Sequence, residues 1–408
     1  MKIQVIFSLL SIFVFLACSL FITACAHIDK TSRGIQYQEI PQIIKIYVET
    51  LDEVDNLANL DLDILEVNLD KHHILAVVKK SDIEKVKSNG YKFRVTNKNA
   101  NSLLATTRAN LKRYHDFKRI EDKLKSISAK NQNICALQVI GKSFENRPIY
   151  AMNITDQKST NKTTNPACLI MGLHHAREWI SAEVPVSLIE ELTSKYNKDE
   201  TITKLVNERD IWIIPVVNPD GYIYSQEGKT MWRKNRRNNL NNSFGVDLNR
   251  NYGYQWGNVG ASSKSFSDVY HGTKPYSESC TVAIRDLAKR EKFRTSVSFH
   301  SYGNEILYPF GYSRTELAKD DKLLSTMARK MEEITGYKSK KSSDLYPAMG
   351  DCDDFLYGSL GVLAFTIELG SRFVPDEKEV DKICLKNVAA CLYLIQSAGE
   401  FKAYNHPD

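Results

Sequence analysis

The segment ACLIMGLHHAREWISAE, residues 167–183, places a group of ionisable side chains directly after an uninterrupted apolar run. The seven residues of ACLIMGL show no polar alternation, which predicts a strand covered on both faces. A helical pattern begins at Trp179. Between the two stand two histidines, an arginine and a glutamate, namely His174, His175, Arg177 and Glu178. So much ionisable chemistry at the end of a buried strand indicates a functional site.

Three further apolar runs end in the same way. IWIIPVV (211–217) leads into Asn218 and Asp220, TSVSF (295–299) leads into His300, and VLAFTIE (362–368) ends in Glu368. Amphipathic helices separate these strands, so we predict an α/β fold with a central twisted, mixed and mostly parallel sheet flanked by helices. In such sheets ligands bind beyond the carboxyl ends of the strands, so the four ends are expected to converge on one site.

The chain before residue 114 is predicted to form a separate small unit. Residues 36–98 follow the order β-α-β-β-α-β, which is typical of a small α+β open sandwich. Its second helix is expected to start with Ser81 as the N-cap residue. Residues 99–113 are predicted to be a linker that is protease-sensitive at Arg108, and residues 114–408 the larger α/β domain.

The N-terminus has the pattern of an export signal. After Lys2 come about two dozen residues without a charge, which predicts a signal peptide over residues 1–25. Ile22 to Cys25 resembles a bacterial lipobox, whereas Ala24-Cys25-Ala26 fits an ordinary cleavage site. An uncleaved anchor is also long enough to span a bilayer. We expect an exported protein, either a cell-envelope lipoprotein whose only membrane contact is a lipid at Cys25, or a secreted or periplasmic one.

Composition excludes one class of partner and leaves the redox state open. A net charge of +6 over 408 residues is mild and no nucleic-acid-binding motif is present, so no nucleic acid partner is expected. Six cysteines beyond residue 25 are scattered, which favours buried thiols, with one or two disulfides left open. The chain is expected to act as a monomer.

Two histidines and a glutamate at these strand ends suggest a metal. His175, Glu178 and His300 with a fourth position open would make a catalytic zinc site. Taken singly, the H-x-x-E pair also fits a surface turn, and His300 a hydrogen-bonded core histidine. Zinc is inferred from the ligand types.

GLHHAREWISAE resembles the zinc-site signature of the metallocarboxypeptidase family that includes pancreatic carboxypeptidases A and B. Further motifs of that family follow in order: VVNPDGY, MWRKNRR, GVDLNRNYGYQWG, SFHSYGNEILYPFGY, DLYPAMGDCDDFLYG and FTIELG. The resemblance covers the chain from Tyr114 onwards. It implies a carboxypeptidase-like fold, one Zn²⁺ per catalytic domain, and peptide or protein C-termini as substrates.

The resemblance also implies a role for each matching residue. Zinc would be held by His175, Glu178 and His300, with Asp247 fixing the tautomer of a ligating histidine. The catalytic residues would be Glu368 as the general acid/base and Arg233 as the oxyanion donor. The substrate's terminal carboxylate would be clamped by Asn249, Arg250 and Tyr346, and Arg177 would bind the substrate further upstream.

Asp353 falls where the family places the residue at the base of the terminal side-chain pocket. Members that prefer Lys or Arg carry aspartate there, so a preference for C-terminal Lys or Arg is expected. Alternatively, Asp353 caps a turn while Asp351 or Asp354 faces the pocket. Three functions compete with this one: a carboxypeptidase with apolar or broad preference, an amidase or endopeptidase on cell-wall peptides, and a binding protein without catalysis.

The N-terminal unit, residues 36–98, resembles the family's activation domain. It would be either a cleaved inhibitory propeptide or a permanently attached domain.

Overall fold

The computed structural model describes residues 39–105, 113–160, 164–228 and 231–401. From Ile40 onwards these residues belong to one unit that contains two β-sheets. The predicted signal segment 1–25 and Arg108 lie outside the described residues. None of the described helices is both long enough and apolar enough to cross a bilayer.

The first sheet is small and antiparallel, with strand order β2-β3-β1-β4. Its elements are β1 Gln42–Tyr47, α1 Leu51–Ala58, β2 Asp63–Asn68, β3 His73–Val78, α2 Lys80–Ser88 and β4 Phe93–Asn97. Both helices pack on one face, where Val54 and Val86 share a buried cluster with Ile44 and Ile74. On the opposite face Ile43 and Val77 join the core of the larger sheet, so both faces are covered.

The predicted N-cap of α2 is wrong. The helix begins at Lys80, and Lys79 occupies the N-cap position. The Asp82 carboxylate accepts a hydrogen bond from the backbone N–H of Lys79 at 2.9 Å. Asp82, three residues after the N-cap, thus provides an acceptor for an N–H group that has no partner within the helix. Ser81 therefore lies inside the first turn.

The second sheet has eight strands in the order β11-β10-β12-β9-β7-β8-β6-β5. Its strands are β5 Cys135–Lys142, β6 Pro148–Ile154, β7 Ala167–Gly172, β8 Asp210–Ile214, β9 Thr295–His300, β10 Glu305–Tyr308, β11 Lys338–Lys341 and β12 Leu363–Glu368. The four central strands β12, β9, β7 and β8 are mutually parallel, whereas β6 and β10 join them antiparallel. This confirms the predicted mixed, mostly parallel sheet.

Helices cover both faces of this sheet because its central strands are apolar on both sides. Cys168 and Ile170 of β7 lie in one buried cluster, while Leu169 and Met171 lie in another. The helices from residue 100 onwards are α3 Ser102–Ala105, α4 Phe117–Lys130, α5 Ile180–Lys195, α6 Glu200–Glu208, α7 Pro219–Gln226, α8 Ser279–Glu291, α9 Asp321–Thr335, α10 Ser342–Leu345, α11 Cys352–Leu360 and α12 Glu377–Glu400. Side chains of α5 and α12 fill the first cluster, and those of α8 and α11 fill the second. All six described cysteines are buried, as predicted, and all six are free thiols.

A tight turn follows β7 and brings the HHARE segment over the sheet edge. A Cβ on Gly172 would stand 2.2 Å from the carbonyl oxygen of Ser181, so only glycine fits between β7 and α5. Leu173 follows with φ of +59°. The chain thus returns across the carboxyl ends of the parallel strands.

Candidate active site

Three predicted metal ligands converge at this edge. The Nδ1 atoms of His175 and His300 lie 3.0 Å apart. Glu178 places one carboxylate oxygen 2.8 Å from the first Nδ1 and the other 3.0 Å from the second. All three side chains are buried, and their ligand atoms lie within 4.8 Å of one another. Two imidazoles and a carboxylate facing a common point are the donor set that catalytic zinc takes, so the residues fit that ion.

In each ligating histidine, the ring nitrogen that points away from the other ligands has its own hydrogen-bond partner. Nε2 of His175 lies 3.2 Å from the Asp247 carboxylate, whose other oxygen accepts Nε–H of Arg233 at 2.8 Å. Burial opposes ionisation of Asp247, but the charges of Arg233 and His175 hold its pKa well below the ordinary value. A carboxylate in this position fixes the tautomer and orientation of a metal-bound imidazole.

His300 is supported by His174, which stands beside the predicted ligand His175 in the sequence, and by Ser298 and Tyr252, which the sequence did not single out. Its Nε2 lies 3.1 Å from the Ser298 hydroxyl, which also lies 3.1 Å from Nδ1 of His174. Nε2 of His174 in turn contacts the Tyr252 hydroxyl at 2.8 Å. His174 is therefore outside the ligand group and belongs to its support. The only sequence signal was that Ser298 precedes His300 by two residues, which places both on one face of β9.

Glu368 and Arg233 flank the three ligands. Glu368 ends β12 and pairs with His300 across the parallel register. Burial raises its pKa well above the ordinary value, and the carboxylates of Glu178 and Glu305 add to that rise. Arg233 is buried and oriented through its bond to Asp247. A carboxyl group that readily holds a proton thus lies in one cleft with a fixed cation.

The predicted carboxylate clamp lines the same cleft. Arg250 donates to the Tyr346 hydroxyl at 3.1 Å, to the Gly260 carbonyl at 2.8 Å and to the Asn249 carbonyl at 2.7 Å. The side-chain oxygen of Asn249 accepts the backbone N–H of Cys352 at 2.9 Å. The structure brings Asn249, Arg250 and Tyr346 together, with the guanidinium held in a fixed plane.

The three neighbouring aspartates at the start of α11 have different surroundings. Asp354 accepts the backbone N–H groups of Gly311 and Tyr312 at 2.8 and 3.0 Å. Asp351 and Asp353 instead line the cleft. Asp353 is 4% exposed, and its Oδ1 has no hydrogen-bond partner among the described residues. Burial raises its pKa well above the ordinary value, and the nearby Asp351 raises it further.

Arg177 faces a residue of the small sheet. It forms a two-pronged ion pair with Asp63 of β2, at 2.5 and 2.8 Å, and both side chains are buried. Asp63 also lies 3.8 Å from Arg233. Ile64 and Leu65, which follow Asp63, line the cleft. No pattern in the sequence indicated this contact.

A His–Glu–His group, a half-buried glutamate and fixed arginines at the carboxyl edge of an α/β sheet define a zinc-dependent hydrolase. The family model described as "Zinc carboxypeptidase" matches residues 120–390. The chain therefore belongs to the zinc carboxypeptidase family.

Individual relatives agree with this assignment. The chain is 35% identical to carboxypeptidase B2 of Rattus norvegicus over 68% of each chain. It is 34% identical to carboxypeptidase A2 of the same species, over 64% of this chain and 63% of that one. The crystal structure of thrombin activatable fibrinolysis inhibitor matches 88% of this chain and 99% of its own, at 28% identity and a TM-score of 0.73. Carboxypeptidase A from Helicoverpa armigera, at 24% identity and a TM-score of 0.78 over 89% and 98% of the two chains, shares the fold. Relatives named A and B both occur, so the names do not decide the preferred side chain.

Proposed function

We propose that this protein removes C-terminal Lys and Arg residues from peptides and proteins. The observation that carries the preference is the buried Asp353 carboxylate in the cleft, with one oxygen unpaired among the described residues. Burying a carboxylate without a partner is costly, and a cationic side chain that enters the pocket offsets that cost. Apolar side chains leave the cost in place.

The chain's own groups divide the reaction between them. Arg250, with Asn249 and Tyr346, binds the free carboxylate in two-pronged fashion and so selects chain ends. Arg233, oriented by Asp247, donates to the scissile carbonyl oxygen as negative charge develops there. When bound, zinc supplies a Lewis acid that polarises the carbonyl and acidifies water.

Glu368 handles the proton. It takes one from the attacking water and passes it to the leaving amine, which its position beside the three ligands allows. The amine leaves with the terminal residue, and the shortened peptide keeps the new carboxylate.

Replacing Asp353 tests the preference. Asp353→Asn is expected to lower kcat/KM for peptides ending in Lys or Arg by about 10²- to 10³-fold, because the buried cation loses its partner. Matched peptides ending in Phe or Leu should change by no more than a few-fold. Steady-state kinetics on such a peptide set decides the matter. A wild-type preference for Phe or Leu, or an equal loss on all peptides, would contradict the proposed pocket.

We also propose that the small N-terminal domain, residues 36–98, which contains the four-stranded sheet, inhibits the enzyme. Asp63 holds Arg177 and lies beside Arg233, so it occupies cations that the substrate needs. Tyr346, part of the clamp, packs against the apolar cluster of the small sheet. A substrate can reach these groups only after the domain moves away.

The inhibition has its own test. Asp63→Ala is expected to raise the peptidase activity of the uncleaved full chain about tenfold or more, because breaking a buried ion pair weakens domain docking by several kcal/mol. Asp61→Asn is the matched control, since its partners Lys264 and Lys85 are exposed and partly exposed and the change should stay within about twofold. The proposal fails if the untreated wild type is already as active as the chain after limited trypsin.

We infer export from the apolar N-terminus, with lipid attachment at Cys25 as the specific form. The mass of the mature N-terminal peptide tests this directly. A diacylglyceryl mass on Cys25 supports it, whereas an unmodified N-terminus at residue 26 or 27 indicates ordinary signal cleavage.

A further inference from the structure

The pocket contains a second carboxylate besides Asp353. Asp351 is buried and lines the same cleft, two residues earlier in the chain. Asp354, the third acid of the segment, is bonded to the backbone of Gly311 and Tyr312 and does not line the cleft. Two of the three aspartates therefore line the cleft.

The two oxygens of Asp351 have different surroundings. Oδ1 accepts the backbone N–H of Asp354 at 2.7 Å and so caps the start of α11. Oδ2 lies against the Cα of Gly311, which also lines the cleft. A Cβ built there would stand only 2.5 Å from it. The absence of a side chain at Gly311 leaves room for this oxygen beside the pocket.

The neighbouring Asp353 adds the second acceptor. Its Oδ1 is buried and lacks a hydrogen-bond partner among the described residues. Burial raises the pKa of Asp351 to about 6, although the backbone N–H of Asp354 and the charge of Arg250 oppose the rise, and burial together with the nearby Asp351 raises the pKa of Asp353. A cation between the two carboxylates lowers the free-energy cost of ionising each of them. Two separate carboxylates, those of Asp351 and Asp353, thus line the same cleft.

We propose that Asp351 is a second specificity-determining residue and that the Asp351–Asp353 pair selects C-terminal arginine over lysine. This rests on the proposed preference for basic chain ends. A guanidinium is planar and carries five N–H donors along more than one edge, so it can donate to both carboxylates at once. It is also more weakly hydrated than an ammonium, which lowers the cost of entering a buried pocket. A lysine ammonium is a compact charge that one carboxylate already satisfies.

The test is Asp351→Asn, because asparagine caps a helix as well as aspartate does while removing the charge. We expect kcat/KM for a peptide ending in Arg to fall about 10- to 100-fold, the usual effect of losing one charge-assisted hydrogen bond. For the matched Lys peptide the fall should be no more than about threefold. Asp116→Asn, which alters the N-cap of α4 by the same chemistry outside the cleft lining, should leave both values unchanged. Thermal unfolding of both variants checks that the fold is intact.

A second readout does not need turnover. Binding of free L-arginine and L-lysine to the zinc-loaded full chain, with and without limited trypsin, is measured by calorimetry. Asp351→Asn should weaken arginine binding selectively, and Asp351→Ser, which also keeps a helix cap, should do the same. An unchanged Arg-to-Lys ratio in both readouts overturns the role of Asp351 while leaving the basic preference standing. A wild type that prefers apolar chain ends overturns the proposed function, and the inference with it.

Discussion

Glu368→Gln is expected to lower kcat by about 10²- to 10⁴-fold, the usual contribution of a positioned acid/base. Glutamine keeps the shape of the side chain at the end of β12 but can neither take nor release the proton. KM should change little, because the clamp around Arg250 is untouched. Steady-state kinetics with a free-acid peptide measures both parameters.

The nearby Glu305 provides the matched control. It stands opposite Glu368 in the β10–β12 pairing, but its carboxylate bonds to Lys340 at 2.7 Å. Glu305→Gln should therefore retain activity within about tenfold. Zinc content should stay at one per chain in both variants. If Glu368→Gln kept more than a tenth of the wild-type kcat, Glu368 would not be the acid/base.

Removal of zinc is expected to reduce activity below about 1% of the loaded enzyme, because water would lose its acidifying Lewis acid. The melting temperature should also fall, since an ion present at 1,000 times its dissociation constant stabilises the fold by about 4 kcal/mol. Chelation followed by zinc addition should restore both. Metal analysis, peptidase assays and thermal unfolding on the same samples measure the effect.

The adjacent histidines sharpen this prediction. His175→Ala should lose zinc and stay inactive after zinc addition, because Nδ1 of His175 faces His300 at 3.0 Å. His174→Phe should still bind one zinc per chain, since His174 contacts Ser298 and Tyr252 instead. The opposite pattern, with zinc lost only in the His174 variant, would contradict the ligand assignment.

The sheet and the convergence of the strand ends could be predicted because both follow from local sequence. Continuous apolar runs require cover on both faces, and parallel strands place their carboxyl ends at one edge. Polar residues directly after those runs, such as His175 and His300, must then gather there. The N-cap prediction for Ser81 was wrong because Asp82, with a longer reach toward the backbone of Lys79, satisfied the helix start instead.

Contacts between segments that are distant in the chain could not be predicted from local sequence patterns. Asp63 lies in β2 of the small sheet and Arg177 in the turn after β7, 114 positions further along the chain, so no periodicity links them. Among Asp351, Asp353 and Asp354 the spacing alone did not tell which side chains line the cleft. That depends on the start of α11 and on the neighbouring Gly311 and Tyr312 amides.

A zinc carboxypeptidase cuts only at a free C-terminus, which distinguishes it from an amidase or an endopeptidase. Mass spectrometry of products from matched peptides, with a free or an amidated C-terminus, tests this property most directly. The predicted result is loss of a single C-terminal residue from the free-acid peptides alone, abolished by a chelator and restored by zinc. Internal cleavage, or equal cleavage of the amidated peptides, would contradict the account.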